Sequence, residues 1–320
     1  MMNISKATTR LWARLGSCGA YGQAMLEMPS IDESMVACTA DLCFYSGLDR
    51  FSKQFPDRFY NVGIAEQDLV GIGAGLAKEG FNPFVSTYAS FATTRALDQV
   101  RVNMGYMQLP IKLIGLTSGC SVGILGATHI SIEDIAIMRA IPNITVISPA
   151  DCTETVKAVL ALANYDKPVY LRLSGPMNCD IVYPEDYDFE IGKAVTVREG
   201  SDYAIVACGV MVATALKVAA MLEENDGISC KVIDMHTIKP LDTDALDSLN
   251  GFKKIITMEE HSVIGGLGGA VAEYISVREG FPKLQIIGIE DYFAHAAGFN
   301  ELIEEYGLTA DKVYKRITDK

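Results

Sequence analysis

Two hydrophobic periods alternate along the first half of the chain. Short apolar runs recur at Met35–Thr39, Asn82–Ser86, Ile111–Leu116, Ile144–Ile147 and Val169–Leu173. Runs of this length with little or no polar face read as strands of a parallel sheet covered on both sides. Between them, apolar residues return at helical spacing. Leu69, Ile72, Leu76 and Ala77 mark Glu66 to Ala77; Phe91, Leu97 and Val102 mark Ser90 to Val102; Ile132 to Arg139 is helical and stops before Pro142. Pro149-Ala150-Asp151 opens a further helix with its acid near the positive end. Strands that alternate with helices predict a doubly wound parallel α/β sheet.

The segment Gly175 to Glu190 breaks the pattern with two Pro, several acids and no period, and reads as a linker. The alternation then restarts. Tyr203–Ala207, Ser229–Asp234, Lys254–Met258 and Leu284–Ile289 read as strands, Val212–Glu223 and Thr243–Asn250 as helices, and Gly265-Gly266-Leu267-Gly268-Gly269 leads into another helix. The expectation is two three-layer α/β/α domains, 1–187 and 188–320.

Composition narrows the function. The 320 residues carry 40 Asp plus Glu against 27 Lys plus Arg, a net charge of −13, and 49% are hydrophobic. The apolar content supports sizeable cores, and the acidic balance argues against nucleic acid as a partner. The start, MMNISKATTRLWARLG, has no long apolar core and does not read as a secretory signal. Leu113 to Ile132 has no formal charge, but its Gly, Ser and Thr fit a buried strand and a Gly-rich loop better than a membrane span. Eight Cys show no CxxC pair and no zinc spacing, as expected of reduced thiols in a cytoplasmic protein.

Several motifs together resemble one family. Asp57-Arg58-Phe59-Tyr60-Asn61-Val62-Gly63-Ile64-Ala65-Glu66-Gln67 resembles the transketolase segment that carries the cofactor-activating glutamate. Phe84-Val85-Ser86-Thr87-Tyr88-Ala89-Ser90-Phe91, running on to Arg95-Ala96-Leu97-Asp98-Gln99-Val100-Arg101, is similar to the family's aromatic pocket and following helix. Gly126-Ala127-Thr128-His129, Glu133-Asp134 and Arg139-Ala140-Ile141-Pro142-Asn143 resemble the next loop–helix–strand unit. Beyond the linker, Val232-Ile233-Asp234, Thr237-Ile238-Lys239-Pro240-Leu241 and Glu259-Glu260-His261-Ser262-Val263-Ile264-Gly265-Gly266 resemble a C-terminal domain. That domain is shared by transketolases, deoxyxylulose-phosphate synthases and 2-oxoacid dehydrogenase β subunits. The family's diphosphate- and metal-binding GDG motif does not occur.

The resemblance therefore implies the pyrimidine-binding and C-terminal domains of a split, two-subunit transketolase. It implies thiamine diphosphate and Mg²⁺ as cofactors, with metal and diphosphate held mainly by an N-terminal partner subunit. It further implies a homodimer within an α2β2 heterotetramer, and transfer of a two-carbon ketol unit from a ketose-type donor to an aldehyde-type acceptor. A 2-oxoacid dehydrogenase β-type or pyruvate-using acyl-transfer subunit is a second reading, and a non-catalytic scaffold a third. Gly63–Gln67 and Arg95–Arg101 look more like transketolase than the dehydrogenase.

Thiamine chemistry needs a carboxyl group against N1′ of the aminopyrimidine in a low-dielectric slot. By resemblance that group is Glu66; by spacing alone it is an acid in the first turn of a helix, stabilised by the dipole. Tyr88 and Phe91, three apart, share a face on a helical turn. The resemblance makes Tyr88 the stacking ring with Phe91 in support, places Phe84 in the same set although it also reads as ordinary core, and puts Asp41, at a predicted strand end, near the cofactor. It points His129 at the substrate's reacting hydroxyls and assigns no metal ligand to this chain.

Departures from the family fall on the substrate side. Where sugar-phosphate transketolases place two Arg and a Ser on the terminal phosphate, this chain has Cys18, Gly175 and Tyr45, the last beside Ser46. Where a His and an Asp read sugar hydroxyls, it has Thr117 and Leu125. The usual pentose and heptose phosphates are therefore expected to be poor substrates. The Gly265–Gly269 run lacks a P-loop pattern and reads as close helix–strand packing. Glu259-Glu260 is expected at a subunit interface or cavity rim, and His236, His261 and His295 in structural roles.

Overall fold

The computed structural model describes residues 2–319. Its strands in chain order are β1 (Met35–Thr39), β2 (Phe59–Asn61), β3 (Asn82–Tyr88), β4 (Lys112–Ser118), β5 (Thr145–Ile147), β6 (Val169–Ser174), β7 (Val195–Arg198), β8 (Tyr203–Ala207), β9 (Cys230–Asp234), β10 (Thr237–Lys239), β11 (Lys254–Ser262) and β12 (Leu284–Ile289). Seven form one sheet in the order β10-β5-β6-β4-β3-β1-β2, and five form a second in the order β12-β11-β8-β9-β7. The long central strands β3, β4 and β6 are buried almost throughout, which is why they read as unbroken apolar runs. Leu113 to Ile132 is β4 and the turns that follow it, and no helix among the described residues is long and apolar enough to cross a membrane.

The sheets are mixed rather than purely parallel. β10 runs antiparallel to β5, and β7 antiparallel to β9. Both exceptions lie at sheet edges. β10 comes from the second half of the chain and completes the first sheet. It has three residues and ends at Pro240, which has no N–H to continue a ladder, so no hydrophobic period announces it.

A long helix, Lys6–Ile31, packs Trp12, Tyr21, Met25 and Met28 against one face of the first sheet. Its period is hidden in sequence by Gly16, Gly19 and Gly22 and by scattered Ser and Thr. Gly16 has φ +76° and kinks the helix just before Ser17 and Cys18.

The linker is folded. Asp151 caps the helix Cys152–Ala161, accepting from Glu154 N at 2.8 Å, and also accepts from the Val182 and Tyr183 amides, both at 2.8 Å. Tyr183 then donates its hydroxyl to Asp234 of β9 at 2.8 Å and stacks on Tyr187 with ring centroids 4.0 Å apart. Residues 175–190 thus form no strand or helix, yet their aromatics weld the two halves together.

Glu259 and Glu260 require a correction as well. Neither lies at a rim; they are 0% and 2% exposed. Glu259 accepts the Leu267 and Gly268 amides at 2.6 and 2.8 Å, so an internal carboxylate occupies the N-terminus of the helix Leu267–Ile275. A Cβ on Gly266 would sit 1.9 Å from that carboxylate, which explains the glycine. Glu260 accepts from Cys120 N at 2.7 Å and lies against Arg172 of β6. His236 and His261 are buried, and burial lowers both to about 4, so they are neutral at physiological pH. His295 is exposed and paired with Glu305 at 3.0 Å.

Candidate active site

The loops after β1, β2, β3, β4 and β6 gather at the carboxyl edge of the first sheet, where open α/β sheets receive ligands. Glu66 is the first residue of the helix Glu66–Lys78 and is 4% exposed. Its Oε1 accepts from Arg95 Nη1 at 2.8 Å. The same guanidinium lies over the Phe91 ring, 4.1 Å from its centroid. One flat, nitrogen-rich cation therefore pairs with the buried carboxylate and stacks on an aromatic face at once.

Phe91, Tyr88 and His129 close around this point. Their centroids lie 5.9 Å apart for Tyr88–Phe91, 5.4 Å for Tyr88–His129 and 5.1 Å for Phe91–His129, all edge-to-face. His129 follows the turns of Gly123–Thr128, and its Nδ1 meets Thr128 Oγ1 at 2.9 Å. The second half of the chain holds this loop: Glu260 binds its start at Cys120, and Ala297 N donates to Gly123 O at 3.2 Å.

Arg95 is the residue sequence reading missed. The predicted single helix Ser90–Val102 is instead two wide π turns, Phe91–Arg95 and Arg101–Tyr106, around the short α-helix Leu97–Val100. Thr93 and Thr94 donate their hydroxyls to Ala89 O and Ser90 O at 2.8 and 2.5 Å, drawing on carbonyls a regular helix would use. Such wide turns cluster at functional sites. This one carries Arg95 back towards Glu66, and Gln67 Nε2 ties Arg95 O at 3.2 Å. The adjacent Thr93-Thr94 pair is the available sequence signal.

Around this centre the other expected residues separate. Asp41, exposed at the end of β1, adopts φ +58° and is held by Asn61: its amide donates to Asn61 Oδ1 at 3.0 Å and its Oδ1 accepts from Asn61 Nδ2 at 3.2 Å. Cys18, Tyr45, Tyr88 and Thr117 share one region. Burial pushes the Cys18 thiol up to about 11, against a backbone contact to Thr117 that lowers it. Tyr88 is raised by burial, then by the proximity of Tyr45 and Cys18. Thr117 takes φ +51°, strained for a β-branched residue, and its buried Oγ1 has no partner. Tyr45 and Leu125 are exposed.

Gly175 follows β6 with φ +95°, donates its amide to Ser121 Oγ at 2.8 Å, and would bring a Cβ to 2.8 Å from Val210 Cγ1. An Arg at this position would be strained. Phe84 is corrected: it is 0% exposed and packs in the core with Tyr21 and Phe51, out of reach of any ligand. Among the described residues no group of three or more His, Cys, Asp or Glu could hold a metal ion.

The chain matches the transketolase pyrimidine-binding domain over residues 17–177 and the transketolase C-terminal domain over residues 192–313. It belongs to the transketolase family. It is the C-terminal-subunit type of a split transketolase. An apulose-4-phosphate transketolase subunit from Phocaeicola vulgatus is 39% identical over 297 residues, 92% of this chain and 94% of that protein. A 6-deoxy-6-sulfo-D-fructose transketolase subunit from a Clostridium species is 39% identical over 296 residues, 92% and 91% of the two chains. A solved split-gene transketolase, an inactive β4 tetramer, superposes with a TM-score of 0.87 at 40% identity, covering 95% of this chain and 97% of that one.

Proposed function

We propose that this transketolase subunit works with an N-terminal partner subunit in thiamine-diphosphate-dependent transfer of a two-carbon ketol unit. The observation that carries the reading is the buried Glu66 carboxyl beside Phe91, already engaged by a flat nitrogen cation. An aminopyrimidine offers the same pair of features, so the slot fits the cofactor. Glu66 would hold a proton at N1′, with Phe91 and Tyr88 against the ring and Asp41 nearby. When bound, the cofactor supplies a carbanion that accepts and releases the two-carbon unit. His129 orients substrate hydroxyls, and the unpartnered hydroxyl of Thr117 supplies a further hydrogen bond. Metal and diphosphate fall to the partner, in an α2β2 assembly built on a dimer of this chain. The Phocaeicola and Clostridium relatives are named as transketolase subunits and the solved relative as a split-gene transketolase, which supports the division of labour.

The substrate is a ketose other than the common pentose phosphates. Cys18, Tyr45 and Gly175 provide no cation for a terminal phosphate. Two similar relatives are named for apulose 4-phosphate and a sulfofructose, neither of them a common transketolase sugar. Mixed with its partner subunit and cofactors, the chain is expected to turn over xylulose 5-phosphate plus ribose 5-phosphate at least tenfold less efficiently, in kcat/KM, than its best donor in a ketose screen. Efficient turnover of that pair at low micromolar concentrations would refute the substrate assignment. No cofactor-dependent turnover of any donor would refute the catalytic reading.

A further inference from the structure

We propose that Cys152 and Cys179 form a paired-thiol site that a peroxide oxidises to a disulfide. Their sulfurs lie 3.3 Å apart although the residues are 27 apart in sequence. No other two cysteine sulfurs hydrogen-bond one another among the described residues. Cys152 is buried in the first turn of the helix Cys152–Ala161, while Cys179 is half-buried in the segment after β6. Cys179 also lines a cavity of about 220 Å³ with Pro176, Asn178, Val210, Met211 and Phe299. The cavity thus borders Cys179 and not Cys152, which is buried.

The local chemistry sets the order of events. The Cys152–Cys179 hydrogen bond lowers the Cys179 thiol, and the Cys152 and Cys179 amides act in the same direction, against burial and Asp151, which raise it. The Cys179 thiolate attacks one peroxide oxygen. The O–O bond breaks, hydroxide leaves and takes a proton to become water, and Cys179 is oxidised by two electrons to the sulfenic acid. Cys152 then loses its proton and attacks that sulfur. The S–S bond forms, the S–O bond breaks, and the departing oxygen leaves as a second water. The sum is two thiols and one hydrogen peroxide giving one disulfide and two waters. The bridge would tie the segment beginning at Gly175 to the helix behind the sheet. Pro176 and Met177 pack on Gly16, two residues from Cys18, so the tie reaches the substrate side of the site.

The test is peptide mapping of the full chain after removal of reductant and titration with hydrogen peroxide. The expected product is one cross-linked peptide pair containing Cys152 and Cys179, two hydrogens lighter than its parts and reversed by dithiothreitol. In Cys152→Ser, Cys179 is expected to halt at the sulfenic acid and be trapped by dimedone. The proposal is overturned if both cysteines stay alkylatable at a dose that oxidises Cys18 or Cys43. It is equally overturned if Cys179 in Cys152→Ser takes no dimedone label.

Discussion

Glu66→Gln is expected to lower ketol transfer by the reconstituted subunit pair by about 10²–10⁴-fold and to leave the fold intact. The carboxyl is 4% exposed, and its Oε1 is taken by Arg95 at 2.8 Å. An amide of the same shape fills the same space, so packing is conserved. It carries no charge, and so cannot stabilise a proton at the nitrogen of a bound pyrimidine ring. Arg95 loses the charge of its partner but keeps an Oε1 acceptor, half of its side chain is exposed, and its guanidinium keeps its place over Phe91, which limits the cost to stability. The checks are steady-state turnover with the best donor and the thermal midpoint of the isolated chain. Turnover within threefold of the parent would remove Glu66 from the mechanism, and a midpoint lowered by more than a few degrees would make the loss structural.

The contrast between Glu66 and Arg95 shows what a single sequence reveals. Glu66 stands in an uninterrupted run at the head of a regular helix, so local spacing and the family motif give the same position. Arg95 depends on a wide turn. Its side chain would point elsewhere on a regular helix, and the π turn Phe91–Arg95 that carries it is accompanied by the Thr93 and Thr94 hydroxyls bonded back to Ala89 and Ser90. Phe84 illustrates the opposite error. It lies four residues before Tyr88 in the same motif and on the same face of β3, but further from the carboxyl edge, where it packs with Tyr21 and Phe51, a depth along the strand that the motif does not encode. β1, β8 and β12 were legible to the residue because each is a short apolar run between polar turns. β10 was not, because its pairing with β5 is set by the approach of the second half of the chain. The same holds for Glu259 and Glu260. Two adjacent acids on a strand suggest solvent, and their burial becomes intelligible only with a helix N-terminus at one and Arg172 at the other.

Arg172→Met is expected to destabilise the protein by about 3–5 kcal/mol at pH 8 and by clearly less at pH 6. Arg172 is 1% exposed and sits between the two halves of the chain. Its Nε donates to Asp134 Oδ2 at 2.9 Å, its Nη2 donates to the Glu260 carbonyl at 2.9 Å, and its Nη1 lies 3.7 Å from Glu260 Oε2. Met conserves much of the volume, so the loss is electrostatic. Burial raises Glu260 to about 7 even though Arg172 pulls it down. Without the guanidinium that restraint is gone, and the folded-state value climbs further above the unfolded one. Between those two values the folded state binds more protons than the unfolded chain, so stability falls as pH rises through the window. At pH 6 the orphaned carboxyl takes up a proton; at pH 8 it approaches an unpaired buried charge. Asp234 and Glu259, which burial also raises to about 7, titrate in the parent as well. The quantity to compare is therefore the parent-minus-variant difference from urea unfolding at each pH. Glu260→Gln in the Arg172→Met background should remove the Glu260 share of the pH dependence, leaving only what comes from Asp134, which loses its 2.9 Å partner in the same variant. An equal loss at pH 6 and pH 8 would show that Arg172 holds the two halves together by shape and hydrogen bonds, and that the charge on Glu260 is immaterial.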